Sequence, residues 1–271
     1  MSDDDDITTD ASTESGLDPR YVVPGLTRGL KILQLLNTRQ RDMTLAEIAD
    51  AIGLSRSSTF RLLYTLEGAE FLSRDPVQKR YALSSRVLSL GYSYLAAQPL
   101  VEKVYPYLRR ISLATGLTAH LVELDGVDAV YIARVAPTAR FVSNLQIGTR
   151  LPAHRTVSGR VLLSGIDPEI LPEVHARLTA LDPDTPPPPL EVFRERVHAD
   201  EKRGYVFAES TFDPGIESFA APVRDGAGRV IGAINALGQS RTVRALGGVA
   251  ELDAIIGANA RELSRQLGWA G

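Results

Sequence analysis

The chain is 271 residues long and 44% hydrophobic, with a formal net charge of −3 and no cysteine. Its length suits two domains of ordinary size, while the missing cysteines exclude disulfides, thiolate metal sites and thiol nucleophiles. No apolar run approaches the roughly 20 residues of a membrane helix, and no charged-then-apolar leader is visible, so a cytoplasmic location without membrane partners is expected.

The small net charge conceals a division. Residues 1–19 hold seven acids and neither Lys nor Arg, whereas residues 20–90 hold eleven basic side chains against six acids. The remainder is almost balanced. A basic module thus lies between an acidic tail and a neutral body, although a surplus of this size also suits a plain solvated surface. The tail lacks apolar periodicity and is expected to be disordered.

In chain order, Leu30, Leu33 and Leu36 recur at helical spacing after Thr27 and predict a first helix ending near Asn37. Thr44 and Glu47 form a capping box, in which each side chain satisfies the other's amide. Leu45, Ile48, Ala49 and Ile52 make one helical face, which Gly53 closes. Ser55 then caps another helix. FLSRDPVQKRYAL reads as two short strands around an Asp75-Pro76 turn. This order of helix, helix–turn–helix and hairpin predicts a winged helix-turn-helix over 20–83.

Ser84 and Ser85 cap a linker helix placed at 84–99, and a further helix carries Val101, Val104, Leu108 and Ile111. From 100 to 271 the pattern changes to strands: LTAHLVEL, AVYIARV, FVSNLQI, YVFAE, SFAAPVR and RVIGAINAL. Helices near 156–165, 168–179 and 190–203 interrupt them, and DPDTPPPPL reads as an exposed loop entering the last of these. A final amphipathic helix runs through Leu252, Ile256, Ala260, Leu263 and Leu267. Asp225-Gly226 marks a hairpin turn. The expected fold class is therefore α+β, with a largely antiparallel sheet flanked by helices.

The helix after Ser55 is the informative one. At about 100° per residue, Thr59, Leu62, Leu63 and Leu66 fall on an inward stripe. Ser57, Phe60, Arg61 and Tyr64 fall outward, with Arg56 at the exposed N-terminal end. An ordinary surface helix would place Glu, Lys and Gln there. Hydroxyls, arginines and rings instead suit a major groove, where Arg takes guanine O6 and N7 and rings cover thymine methyls. Free amides at the helix start favour phosphate. Candidate DNA contacts are Thr44, Ser55, Arg56, Ser57, Ser58, Phe60, Arg61 and Tyr64, with Arg74, Lys79 and Arg80 on the wing.

TRGLKILQLL, LAEIADAIGLSRSSTFRLLYTLE and RYALSSRVLSLG resemble the DNA-binding part of the isocitrate lyase regulator (IclR) family. LDGVDAVYIARV, IGTRLPAH, RTVSGRVLLSG and RGYVFAESTFDPGIESFAAPVRDGAGRVIGAIN extend the resemblance from about Val22 to the C-terminus. LGYSYLAAQPL and GTRLPAHRTVSGRVLL are similar to the branch that controls protocatechuate, 4-hydroxybenzoate and β-ketoadipate catabolism. The resemblance implies a GAF-like effector domain at 100–271 and a homodimer or homotetramer on inverted-repeat promoter DNA. Dimer heads would meet successive major grooves about 34 Å apart. Regulators of that branch are often activators, whereas many other members repress operons of other carbon-catabolic routes.

By strand alternation, Val130, Ile132 and Arg134 share one face, Ser218 lies with Ile216, and Asn235 lies among Ile231, Ala233 and Leu237. Polar groups so placed are either satisfied structurally or orient a ligand. The resemblance implies an effector site from the loop and helix start His154, Arg155, Thr156, Val157, Ser158 and Gly159, together with Ile216, Ser218, Asn235 and Leu237. Arg134 is a candidate partner for a small organic acid's carboxylate or for a surface acid, and His120 is a weaker candidate. No cofactor is expected. The four histidines lack paired metal-ligand spacing. His154 and Ser158 are four apart, but no G-x-S-x-G elbow surrounds the serine, which disfavours a hydrolase.

Overall fold

The computed structural model describes residues 18–39, 41–137 and 145–271. The acidic stretch expected to be disordered falls almost wholly outside them; within it, Asp18 caps a single turn at Pro19–Tyr21. The chain divides into two compact units, Met1–Leu95 and Ala96–Gly271.

In the first unit, α1 (Pro24–Arg39) buries Gly29, Ile32 and Leu36. The expected stripe is thus displaced, because Leu30 remains 52% exposed. Gly29, Ile32 and Leu36 form an equally regular i, i+3, i+7 row, so spacing could not choose between them. Strand β1 (Met43–Thr44) leads into α2 (Leu45–Ile52). The capping box is present: the Thr44 amide donates to Glu47 Oε2 at 2.8 Å, and the Glu47 amide donates to Thr44 Oγ1 at 3.3 Å. Gly53 closes α2 with φ of 68°, a conformation that suits glycine.

Ser55 caps α3 (Arg56–Gly68) by accepting from the Ser58 amide at 3.2 Å. Thr59 and Leu63 are buried, and Leu62 and Leu66 are half-buried. Leu63 joins a core of Ile32, Leu36, Met43, Ile48, Leu72 and Tyr81. The wing strands β2 (Leu72–Arg74) and β3 (Arg80–Leu83) pair antiparallel, with β3 central in the order β1-β3-β2. Asp75 Oδ1 holds the turn between them by accepting from the Val77 and Gln78 amides, both at 2.8 Å. Helix α4 (Arg86–Ala96) buries none of its residues.

The second unit begins with α5 (Pro99–Thr115), which packs against β4 (Thr118–Asp125) and β5 (Asp128–Val135). Strand β6 (Arg150–Pro152) follows, then α6 (Val157–Leu163), α7 (Leu171–Leu181) and α8 (Leu190–Arg203). Strands β7 (Val206–Glu209), β8 (Ile216–Arg224) and β9 (Val230–Gln239) complete a six-stranded sheet, ordered β6-β5-β4-β9-β8-β7. Every pairing in it is antiparallel. One face meets α5 and the C-terminal helix, and the other meets α6. That C-terminal helix is built from α10 (Val249–Leu252), a π-turn at Asp253–Gly257 and α11 (Ala258–Gln266); α9 (Ser240–Ala245) precedes it.

Two details differ from expectation. Of FVSNLQI, residues 141–144 lie outside the described ones, and Leu145–Ile147 are not strand; the partner beside β5 is β6. In addition, Leu121 faces Ala133 whereas Val122 faces Tyr131, so Ile132 is an extra residue in β5. Such a bulge reverses the inward and outward order of the residues beyond it.

Leu63→Ala should cost about 2–5 kcal/mol of stability through the cavity it leaves. Denaturant unfolding of the full chain reads this, and a loss below about 1 kcal/mol would show that α3 is not anchored by that side chain.

Candidate DNA-reading face and effector cavity

Burial of Thr59 and Leu63 turns the opposite flank of α3 outward. Phe60 is 46% and Tyr64 68% exposed, with their ring centroids 6.2 Å apart, and Arg56, Ser57 and Arg61 are exposed too. The N-terminal hydroxyls are linked: Ser55 Oγ lies 3.2 Å from Ser57 Oγ and 3.1 Å from Ser58 Oγ. This surface offers guanidinium donors, hydroxyls and rings within one unit, the set a major groove accepts.

On the wing, Arg74 and Lys79 are exposed, and the Arg74 guanidinium carbon lies 5.6 Å from the Tyr81 ring centroid. Val77, which sequence reasoning passed over, is 87% exposed at the tip. Arg80 is placed differently. Its Nη2 donates to the Asp42 carbonyl at 2.8 Å and to Glu47 Oε2 at 3.1 Å, and its Nε meets Asp42 Oδ2 at 3.1 Å. It binds β3 to the start of α2 instead of reaching outward. Thr44 is likewise spent on the helix cap, its hydroxyl also donating to Glu47 Oε2 at 3.0 Å. The same contacts hold the Glu47 carboxyl below its usual range, chiefly through the Thr44 amide.

The second unit encloses a cavity between its sheet and the start of α6. Seven expected residues line it: Arg155, Thr156, Val157, Ile216, Ser218, Asn235 and Leu237. Six others join them, Tyr131, Leu145, Leu151, Ser210, Phe212 and Asp213. Alternation on β5 could have found Tyr131 had the bulge been foreseen. Nothing in local spacing marks Phe212 or Asp213. Asn235 is held on both sides, since its Oδ1 lies 3.0 Å from His120 Nδ1 and its Nδ2 donates to Ser218 Oγ at 3.3 Å.

Four candidates do not line this cavity. His154 lines a separate recess with Phe193 and Asp200, where its Nε2 meets the Thr185 carbonyl oxygen at 2.9 Å. Ser158 and Gly159 belong to the turn of α6 behind Thr156 and Val157. Gly159 has no room for a Cβ against the Ala153 backbone, and its amide donates to Thr156 Oγ1 at 2.8 Å. The bulge moves Arg134 off the Val130 face and onto that of Tyr131, where it pairs in register with buried His120, but it lies outside the cavity lining. Among the described residues neither His154 Nδ1 nor Ser158 Oγ bonds the other, so they do not form a nucleophile and its base.

Burial pushes the His120 pKa from 6.5 down to about 4; its bond to Asn235 opposes this and the Arg134 charge reinforces it. Burial also pushes Tyr131 up to about 12, with the Ser158 side chain acting the other way. Both groups are therefore neutral near pH 7. The described residues hold no cluster of three or more His, Asp or Glu suited to a metal, and no helix long and apolar enough to cross a membrane.

A winged helix-turn-helix unit followed by a cavity-bearing α+β unit defines a two-part transcriptional regulator. Residues 25–76 match the IclR helix-turn-helix domain, and residues 92–265 match the C-terminal domain of bacterial IclR transcriptional regulators. The chain belongs to the IclR family and is an IclR-type transcriptional regulator. It is 34% identical over 223 residues to the Pca regulon regulatory protein of Pseudomonas putida, covering 80% of this chain and 75% of the relative. It is 29% identical over 234 residues to the p-hydroxybenzoate hydroxylase transcriptional activator of Acinetobacter baylyi, covering 82% and 83%. A solved IclR transcriptional regulator from Alicyclobacillus acidocaldarius superposes with a TM-score of 0.72 at 25% identity, covering 92% of this chain and all of that one.

Two outcomes follow from these placements. Lys79→Ala should reduce the slope of log affinity against log salt on duplex DNA by about 0.9. Arg80→Ala should leave that slope unchanged while lowering the melting temperature. The second concerns acid. Below pH 6.5 the unfolded chain takes up a proton that folded His120 refuses until about pH 4. Stability that is complete above the unfolded value is therefore lost as pH falls through this window, by roughly 3 kcal/mol. His154, also lowered by burial, acts in the same direction. The quantity to measure is thus the difference between wild type and His120→Phe, and the variant should lose less stability on acidification.

Proposed function

We propose that this regulator controls genes of aromatic-compound catabolism and that a small organic acid, aromatic or dicarboxylic, sets its promoter affinity or activity from the second unit. The supporting relatives are named for the Pca regulon and for p-hydroxybenzoate hydroxylase. The observation that carries this reading is the presence, in one chain, of an open α3 flank and a cavity of mostly apolar surface that holds the bonded Ser218–Asn235 pair. The regulator works in the cytoplasm, as a homodimer or homotetramer on an inverted repeat. A second copy would cover Leu88, Leu90 and Tyr92 of α4, which are exposed within their own unit. Effector coupling of about 1–3 kcal/mol would change promoter affinity roughly 5–150-fold.

A thermal-shift screen with protocatechuate, 4-hydroxybenzoate, β-ketoadipate, phthalate and glyoxylate tests the ligand class, since a ligand of the native state raises the melting temperature. Val157→Phe should fill the cavity, removing that shift while leaving effector-free DNA binding intact. A retained shift would place the ligand elsewhere. On an operator selected from random duplexes, Arg61→Ala should weaken binding by about 1–3 kcal/mol and relax preference at one base pair. Uniform weakening on all sequences would assign Arg61 to phosphate.

A further inference from the structure

We propose that Arg155 receives the carboxylate of the effector, and that the cavity therefore selects organic monocarboxylates over neutral analogues and over dicarboxylates. This rests on reading the cavity as the effector site. Among the described residues lining it, Arg155 is the one cation. Its bonds occupy a single nitrogen: Nη1 donates to Asp182 Oδ2 at 2.9 Å and to Thr185 Oγ1 at 2.7 Å. The guanidinium carbon lies 4.3 Å from the Phe212 ring centroid, and the Arg155 carbonyl accepts from Thr211 Oγ1 at 2.9 Å.

The guanidinium is thus held by Asp182, Thr185 and Phe212, and the residue's backbone by Thr211, before any ligand arrives. The Nε–Nη2 edge, the pair of parallel donors that fits a carboxylate's two oxygens, has no acceptor among the described residues. A side chain already fixed loses little freedom on binding. Asp182 does not consume that edge, because it engages Nη1 only, and its carboxyl is held below the usual range first by Thr185 and then by Arg155.

Charge count sets the limit to one carboxylate. Asp213 also lines the cavity and opposes an anion. A first carboxylate is met by Arg155, whereas a second would face Asp213 with no further cation among the described lining residues. Sequence spacing could not single out Arg155, since its partners come from the segment before α8 and from the turn before β8.

The test uses the full chain, with benzoate, 4-hydroxybenzoate, methyl 4-hydroxybenzoate, terephthalate, hexanoate and adipate as probes and calorimetric affinity as the readout. In wild type the monocarboxylates should bind at least about tenfold tighter than the ester or the diacids. Arg155→Gln should collapse the acid-over-ester preference. Arg155→Lys, which keeps the charge but loses the fork, should retain the preference at lower affinity. Melting curves of both variants show whether they fold, and the lysine variant carries the test if the glutamine variant does not. Any of five results would overturn the assignment: preference surviving in Arg155→Gln, preference lost in Arg155→Lys, ester binding as tightly as acid, diacids binding as tightly as monoacids, or no carboxylate binding at all. Hexanoate binding through Arg155 without benzoates would refute the aromatic reading and keep this one. Benzoates binding equally well to wild type and Arg155→Gln would do the reverse.

Discussion

The rotation of α3 about its own axis depends on the burial of Leu63. That side chain, fully enclosed by Ile32, Ile48, Leu72 and Tyr81, fixes which flank of the helix meets water. Turning the helix by one residue would swing about 100° of surface inward, burying Phe60 or Arg61 against an apolar core. An unpaired buried guanidinium is far costlier than the few kcal/mol a single apolar contact supplies, so the arrangement has no near competitor. The capping box at Thr44 and Glu47, joined by Arg80, then sets where α2 starts. Charge that looked available for DNA is in this case part of the frame that presents the reading flank.

The second unit has its own constraint of the same kind. Gly159 lies so close to the Ala153 backbone that no larger side chain fits, which locks the turn at Ala153–Arg155 onto the start of α6. Thr156 and Val157 consequently face the cavity, and Ser158 is driven into the interior. Opposite them, the bulge at Ile132 decides which β5 residues look the same way. Tyr131 faces the cavity side, and its ring meets His120 edge-on at 5.2 Å.

These two constraints explain what the sequence could and could not disclose. Periodicity and caps identified α3, α2, the wing and five sheet strands, because each is a local pattern with a local cause. The inward row of α1 was ambiguous because a glycine held one of its places. Arg80 and His154 were misplaced as surface or cavity groups because their partners, Asp42, Glu47 and Thr185, are chosen by tertiary packing. Arg134 changed face through one inserted residue, which alternation cannot register. Phe212 and Asp213 lie in an irregular turn whose direction no short-range rule dictates. The cavity's apolar lining and its Ser218–Asn235 pair were legible from alternation, whereas Arg155 was named only through the family resemblance, because spacing picks out none of its partners.

A cavity by itself moves nothing, since a ligand shifts an equilibrium only by binding one state better than another. The walls differ in how they are fixed. The sheet side is tied internally, with Asn235 bonded to His120 and Ser218 across β4, β8 and β9. The corner at Arg155 is held as well, but by links to Asp182, Thr185, Phe212 and Thr211 that are more exposed than the buried ties of the sheet side. Local opening is cheapest where bonds are few and wet. A ligand spanning both walls therefore acts on the corner and leaves the sheet as it is. From there α6 is the rigid carrier: Arg160, four residues beyond Thr156, grips buried Asp200 of α8 through bonds of 2.9 and 2.8 Å. Breaking that pair would leave the buried carboxylate only its 3.3 Å bond from Arg203, which favours α6 and α8 moving as one body when the cavity mouth changes.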